Sequence, residues 1–381
     1  MLFKDVIGNA SIKERLKQAA RENRISHALL FAGSEGCGNL PMAIAFAQYI
    51  SCPERTEDDS CGKCPSCLKF DKLSHPDLHF SYPVVTRKSG EKPRSVDFLP
   101  EWREALAENP FLSLNHWLMR LDAENKQGNI NVEECHDIIR KLSFKCYEAP
   151  YKFLIMWMPE FLGTAGNTIL KIVEEPPDNT LFIFVAQNPG KIINTITSRT
   201  QLIRFNRITD EEMRENLKLS YNLGDTEAAV YARLADGNYA AAKELAESAD
   251  EEIDHGKSFL EWMRECYSIG KSAKILIERI EVFSKSGRER QKSFIAYAID
   301  MLRECLLMNM KQDNLIRLLE EEMTGFQKFS AFIHPDNVGD LIEELSKAYY
   351  HLERNANAKI LMLDLSFRIH HLLKRKAAAQ V

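Results

Sequence analysis

Apolar and polar positions follow two regimes along this chain. In the first, short near-continuous apolar runs alternate with stretches of helical period. HALLFAG (27–33), LHFSYPVV (78–85), YKFLIMWM (151–158), TLFIFVAQ (180–187) and QLIRF (201–205) read as strands. Between them, NASIKERLKQAARENRI (9–25) spaces Ile12, Leu16, Ala19 and Ala20 at helical intervals behind an expected Asn9 cap. LPMAIAFAQYI (40–50) begins a helix with Pro41 near its start, where a missing N–H costs nothing. INVEECHDIIRKLSF (130–144) and TAGNTILKIVEE (164–175) continue the alternation. Strands this apolar, separated by helices, predict a parallel sheet covered on both faces. This α/β region ends near Asn206. Residues 86–129 open on the polar TRKSGEKPRS, later carry Trp102, Trp117 and Leu118, and read as a surface insertion with some helix.

Beyond Asn206 the strands stop. Thr209 and Glu212 stand in capping-box register, and with DTEAAVYARLADG and YAAAKELAES they predict three short helices. The acidic ESADEEID (247–254) reads as a linker, and residues 255–381 show only long helical patterns, such as FIAYAIDMLRECLLMNM and KILMLDLSFRIHHLL.

Length and composition fit this division. At 381 residues, 45% hydrophobic and 28% charged, the chain is expected to form two or three soluble domains, with no run near the roughly 18 apolar residues of a membrane span. The first residues lack a secretory signal pattern, so a cytoplasmic location is expected. A net charge of −5 argues against an overall electrostatic grip on DNA and leaves a local basic patch open. The terminal KRK (374–376) reads as a solvated tail.

The stretch AGSEGCGNLPMA (32–43) has the shape of a phosphate-binding loop. In G-x-x-x-x-G-K-[ST] the glycines let backbone N–H groups close around phosphate, the lysine reaches the β/γ-phosphates and the hydroxyl binds magnesium. Gly33, Gly36 and Gly38 are present, but Asn39 and Leu40 stand at the lysine and hydroxyl positions. The strand that would supply magnesium-binding acids ends Met156-Trp157-Met158, and the first acid, Glu160, follows Pro159. Both halves of the chemistry are missing, so negligible ATP hydrolysis is expected here.

Nine cysteines are unevenly spread. Cys52, Cys61, Cys64 and Cys67 form C-x8-C-x2-C-x2-C, which offers four thiolates to one structural zinc with no open position for catalysis. Cys37, Cys135, Cys146, Cys266 and Cys305 sit singly and read as core packing, as does His27. Glu174 and Glu175, before Pro176-Pro177, read as a helix terminus. Arg199, in TSRTQLIRF, stands in a loop beside a strand; an isolated arginine there is ordinarily solvated or paired with a carboxylate.

RISHALLFAGSEGCG, the four-cysteine insert, NTILKIVEEPPDNTLFIFVAQNP and TITSRTQLIRF, in this order, resemble the clamp-loader branch of the AAA+ proteins over roughly residues 4–85 and 130–245. LERNANAKILMLDL (352–365) resembles the closing helices of that family's collar. The resemblance implies an α/β AAA+ domain (1–207) with a zinc module at 52–67 and an insertion near 86–129. A three-helix lid (208–249) and an all-helical collar that mediates oligomerisation (250–381) would follow. It also implies a place in a five-subunit ring beside tau/gamma-type motor and delta-type subunits, acting on a sliding clamp and primed DNA. The missing lysine and acids favour a non-motor subunit. The family's Ser-Arg-Cys motif falls on Ser198, Arg199 and Thr200, with Thr200 departing from it, and implies that Arg199 reaches into a neighbour's ATP site. The lid segment ADGNYAAAKEL lacks the nucleotide-sensing arginine of ATP-binding relatives. Two other readings stand beside this one: an ATPase with an atypical loop, and a zinc-stabilised nucleic-acid-binding adaptor.

Overall fold

The apolar runs fold as five parallel strands. These are β1 (Ala28–Ala32), β2 (Leu78–Ser81), β3 (Lys152–Trp157), β4 (Thr180–Ala186) and β5 (Gln201–Arg204), in the order β2-β3-β4-β1-β5. The structure is a computed structural model that describes residues 1–86, 90, 92–123, 128–247, 255–286, 288–311, 320–354 and 356–375. It forms two compact units, residues 1–223 with 236–243, and residues 224–235 with 244–381. Most of the acidic stretch read as a linker, residues 248–254, lies outside the described residues.

In the first unit each central strand is buried on both sides, and its residues divide by alternation between two cores. Leu29, Phe31, Ile155, Trp157, Ile183 and Val185 face α1 (Ala10–Arg21) and α2 (Asn39–Ser51). Leu30, Leu154, Met156, Phe182 and Phe184 face the opposite core, which includes Ile138 and Leu142 of α6 (Val132–Leu142). Every residue of α2 is buried, which explains why its sequence shows so little polar face.

Three elements differ from expectation. β2 is shorter than the run LHFSYPVV because Pro83 has no N–H to continue a ladder, and Val84 instead bridges antiparallel to Asn129. The stretch expected as one helix over 164–175 is split, with a tight 3-10 segment over Pro159–Ile169, kinked at Gly163, before the short α7 (Leu170–Glu174). The insertion is not a surface appendage. After α3 (Pro65–Asp71), it contributes α4 (Leu99–Glu108) and α5 (Leu114–Arg120), whose Trp102 and Trp117 are fully buried. Trp102 stacks on Tyr82 at 4.0 Å between ring centres and meets Trp157 at 5.3 Å. Trp117 donates to the Pro83 carbonyl at 2.7 Å.

After α8 (Asn194–Thr197) and β5, the expected capping box starts α9 (Asp210–Tyr221): Thr209 Oγ1 accepts from Glu212 N, and Glu212 returns the bond. Next come α10 (Asp225–Ala235), in the second unit, and α11 (Tyr239–Glu247). The second unit continues with α12 (His255–Tyr267), α13 (Ile269–Lys285), α14 (Arg288–Asn309), α15 (Glu320–Ser330), α16 (Pro335–Glu353) and α17 (Ala358–Leu373). Its described residues include no strand, and its core gathers Trp262, Tyr297, Leu345 and Ile369, with Trp262 donating to Ser366 at 3.0 Å.

Candidate functional site

The loop between β1 and α2 keeps its glycines for packing. A Cβ on Gly33 would lie 2.5 Å from Cys37 Sγ, and one on Gly36, where φ is +70°, would collide with Asn238 Oδ1. Gly38, with φ of +90°, starts α2 from the left-handed region. At the lysine position Asn39 is buried, and its Nδ2 donates to the Ala186 carbonyl at 3.2 Å, stitching α2 to the end of β4. At the hydroxyl position Leu40 is buried apolar surface.

The space over this loop is filled from within. Asn238 donates to Glu35 Oε1 at 3.2 Å, and Gln187 donates to Glu35 Oε2 at 3.4 Å. Tyr239 N donates to the Gly36 carbonyl at 3.2 Å. Phe111 of the insertion packs on Tyr239 at 4.6 Å between ring centres. A cavity of about 10 Å3 remains among Glu35, Asn39, Phe111, Trp157 and Gln187, roughly the room one water needs. A carboxylate inside a loop whose N–H groups would otherwise attract phosphate further opposes an anion.

Where acids would hold magnesium, Trp157 seals the end of β3 against Trp102. Met158 then turns through the left-handed region at φ 58°. Glu160 spends one carboxylate oxygen on the N–H groups of Gln187 and Asn188, at 2.7 and 2.6 Å. Burial pushes its pKa above the ordinary carboxylate value despite these donors. It serves as a brace for the turn after β4.

The four-cysteine segment closes on itself. All four sulfurs lie within 4.8 Å of one another. Cys52 and Cys64 are 3.9 Å apart, as are Cys61 and Cys67. Four thiolates about 2.3 Å from a single zinc stand about 3.8 Å apart, so the set matches a tetrahedral site. The backbone N–H groups of Cys61, Cys64 and Cys67 donate to Cys52, Cys61 and Cys64 sulfurs at 3.3, 3.3 and 3.5 Å, the arrangement that stabilises thiolates. Donors led by the Lys63 N–H pull the Cys61 thiol down to about 7.

Arg199 lies in the short connection between α8 and β5. Its side chain is 33% exposed; Nη2 lies 3.1 Å from Glu174 Oε1, and Nη1 donates to the Thr195 carbonyl at 3.0 Å. Glu174 ends α7, as its position before Pro176 implied.

The family described as "DNA polymerase III, delta subunit" matches residues 8–209, which hold the loop, the cysteines, the insertion and Arg199. The chain belongs to this family. It is 26% identical to DNA polymerase III subunit tau of Bacillus subtilis over 84% of its own length and 54% of that protein. It is 22% identical to subunit delta' of the same organism over 54% of its length and 50% of that protein. It thus spans about half of each. Among solved structures, a gamma-subunit-related protein of Thermotoga maritima is similar, with 13% identity, 94% and 99% of the two chains covered, and a TM-score of 0.38.

In this delta-family chain several residues depart from the sequence reading. His27 is exposed rather than a core histidine, because the strand begins at Ala28 and only the His27 carbonyl enters the sheet, accepting from Phe182 N at 2.8 Å. Asn9 precedes α1 in the left-handed region and makes no capping bond; its side chain instead joins Cys37 O at 3.1 Å and Asn206 N at 3.0 Å, tying the loop to the end of β5. Cys37, Cys135, Cys266 and Cys305 are buried, as core cysteines should be, whereas Cys146 is half-exposed. Arg375 of the terminal basic run pairs with Asp340 at 2.7 Å instead of trailing in solvent, and Lys376 lies outside the described residues. Sequence reading missed Phe111, Asn238 and Glu35 as the groups that fill the loop. An acid inside a glycine loop was the one visible signal.

Proposed function

We propose that the chain is a delta-prime-type subunit of the bacterial DNA polymerase III clamp loader. It does not hydrolyse ATP itself and supplies Arg199 to the ATP site of a neighbouring subunit. The supporting observation is the contrast between its two candidate sites: the loop is filled by its own side chains, while the guanidinium remains at the surface. An arginine offered in trans stabilises charge developing on a transferring γ-phosphate without any nucleotide chemistry in its own chain.

In this reading residues 208–249 act as a lid and residues 250–381 as the collar through which a five-subunit ring assembles. Tau/gamma-type motors and a delta-type subunit are its partners, and the ring acts on a sliding clamp and primed DNA in the cytoplasm during replication. Cys52, Cys61, Cys64 and Cys67 would hold a structural zinc, whose role is to fix the segment between α2 and α3. The family match and the similarity to tau and delta' subunits support this reading over an unrelated nucleic-acid adaptor.

The test is reconstitution with purified motor and delta-type subunits, comparing the wild-type chain with Arg199→Ala. Removing a trans arginine costs on the order of 10³-fold at the site it serves. DNA-dependent ATP turnover is therefore expected to fall by that site's share while the complex keeps its mass. Unchanged turnover in an intact complex would contradict the assignment.

A further inference from the structure

Arg199 does not project freely. Its Nη1 folds back onto the carbonyl of Thr195, four residues earlier, and its Nη2 meets Glu174 at the end of α7, 3.1 Å away. Its Nε is buried and finds no partner among the described residues. A guanidinium that bonds its own preceding turn and a local carboxylate cannot at the same time present both η nitrogens to a phosphate. The orphaned Nε marks the pose as incompletely satisfied, so leaving it forfeits little. Glu174 is itself 54% exposed, which keeps the ion pair weak and reversible. A doubly charged phosphate makes shorter, bidentate contacts with arginine than one exposed carboxylate does, and would win the exchange.

We infer that Glu174 is a positioning residue that stows Arg199 against α7 and α8 and releases it when the phosphate chain of a neighbour's nucleotide arrives. This rests on the trans role of Arg199 proposed above. The stowed population lowers the fraction of competent arginine, so it weakens apparent nucleotide engagement at the neighbouring site without altering the bond-breaking step.

The inference is tested on the reconstituted complex by measuring steady-state ATP turnover against ATP concentration. Four chains are compared: wild type, Arg199→Ala, Glu174→Gln and Glu175→Gln. Glutamine keeps the shape of Glu174 and removes its charge, and Glu175→Gln makes the same charge change one residue on. Glu174→Gln is expected to lower the half-saturating ATP concentration about two- to five-fold, the range an exposed ion pair spans, with maximal turnover unchanged. Glu175→Gln should match wild type. If Arg199→Ala lowers turnover but Glu174→Gln leaves half-saturation unchanged, raises it, or lowers maximal turnover, the stowing role is wrong and the trans role stands. If Glu175→Gln reproduces the Glu174→Gln shift, general charge is responsible and stowing is again wrong. If Arg199→Ala has no effect, both fall together.

Discussion

His79 sits on the edge strand β2 with Lys141 and Lys152 among the charges around it, opposed by Asp77 and Asp137. Burial and then Lys141 push its pKa down to about 4 from 6.5. The unfolded chain therefore takes up a proton as pH falls through 6.5, while the folded chain refuses it until about 4. Stability from this residue is complete above about pH 6.5 and is lost between 6.5 and 4, by ~3 kcal/mol at most. Asp77 acts in the same direction: burial would raise its pKa, but the N–H groups of Ala149, Glu148 and Tyr147 hold it below the usual value, so its contribution fades as acid protonates it. Denaturant titrations at pH 7 and pH 4.5 should show the loss, and His79→Gln should flatten part of it. An unchanged slope in that variant would show that the histidine is not the source. None of this was visible in the sequence, because a histidine or an aspartate declares neither its burial nor its donors. His27 makes the same point, standing one residue before the strand it was expected to join, and Asn9 holds the expected cap position but spends its side chain on Cys37 and Asn206.

At the scale of elements, strands were legible and the insertion was not. β1, β3 and β4 could be read because both their faces are buried, so the apolar run is uninterrupted. α4 and α5 are short, and their two tryptophans reach partners far away in sequence, Tyr82 and Trp157, which no local period encodes. The insertion thus packs against the end of β3 through Trp102. Trp102→Ala should cost about 3–5 kcal/mol, the range for emptying a large aromatic site, measured by chemical unfolding. A cost below about 1 kcal/mol would mean that α4 is an appendage after all. The cysteine segment was legible from spacing alone, since tight C-x-x-C turns constrain their own sulfurs. Elemental analysis is expected to find one zinc per chain, and a strong chelator or Cys64→Ser should lower the melting temperature, because binding energy at such a site is folding energy. Protein purified without zinc and melting at the same temperature would contradict this.

For the molecule as a whole, the β1–α2 loop is tied into the fold as an internal joint. Asn39 ties α2 to β4, Asn9 ties the loop to the end of β5, Asn238 bonds Glu35 within the loop, and Phe111 packs on Tyr239 beside it. Asn39 at the lysine position of the motif was readable in the sequence; the contacts over the loop were not, since they draw on residues from 35 to 239. In the function proposed above this joint binds no ATP, and Arg199 is the group the chain offers to a neighbouring subunit. Calorimetric titration of Mg-ATP into the isolated chain tests this most directly. No saturable heat is expected at ATP concentrations up to the millimolar range; magnesium-dependent binding of one equivalent with micromolar affinity would mean that the loop still takes nucleotide.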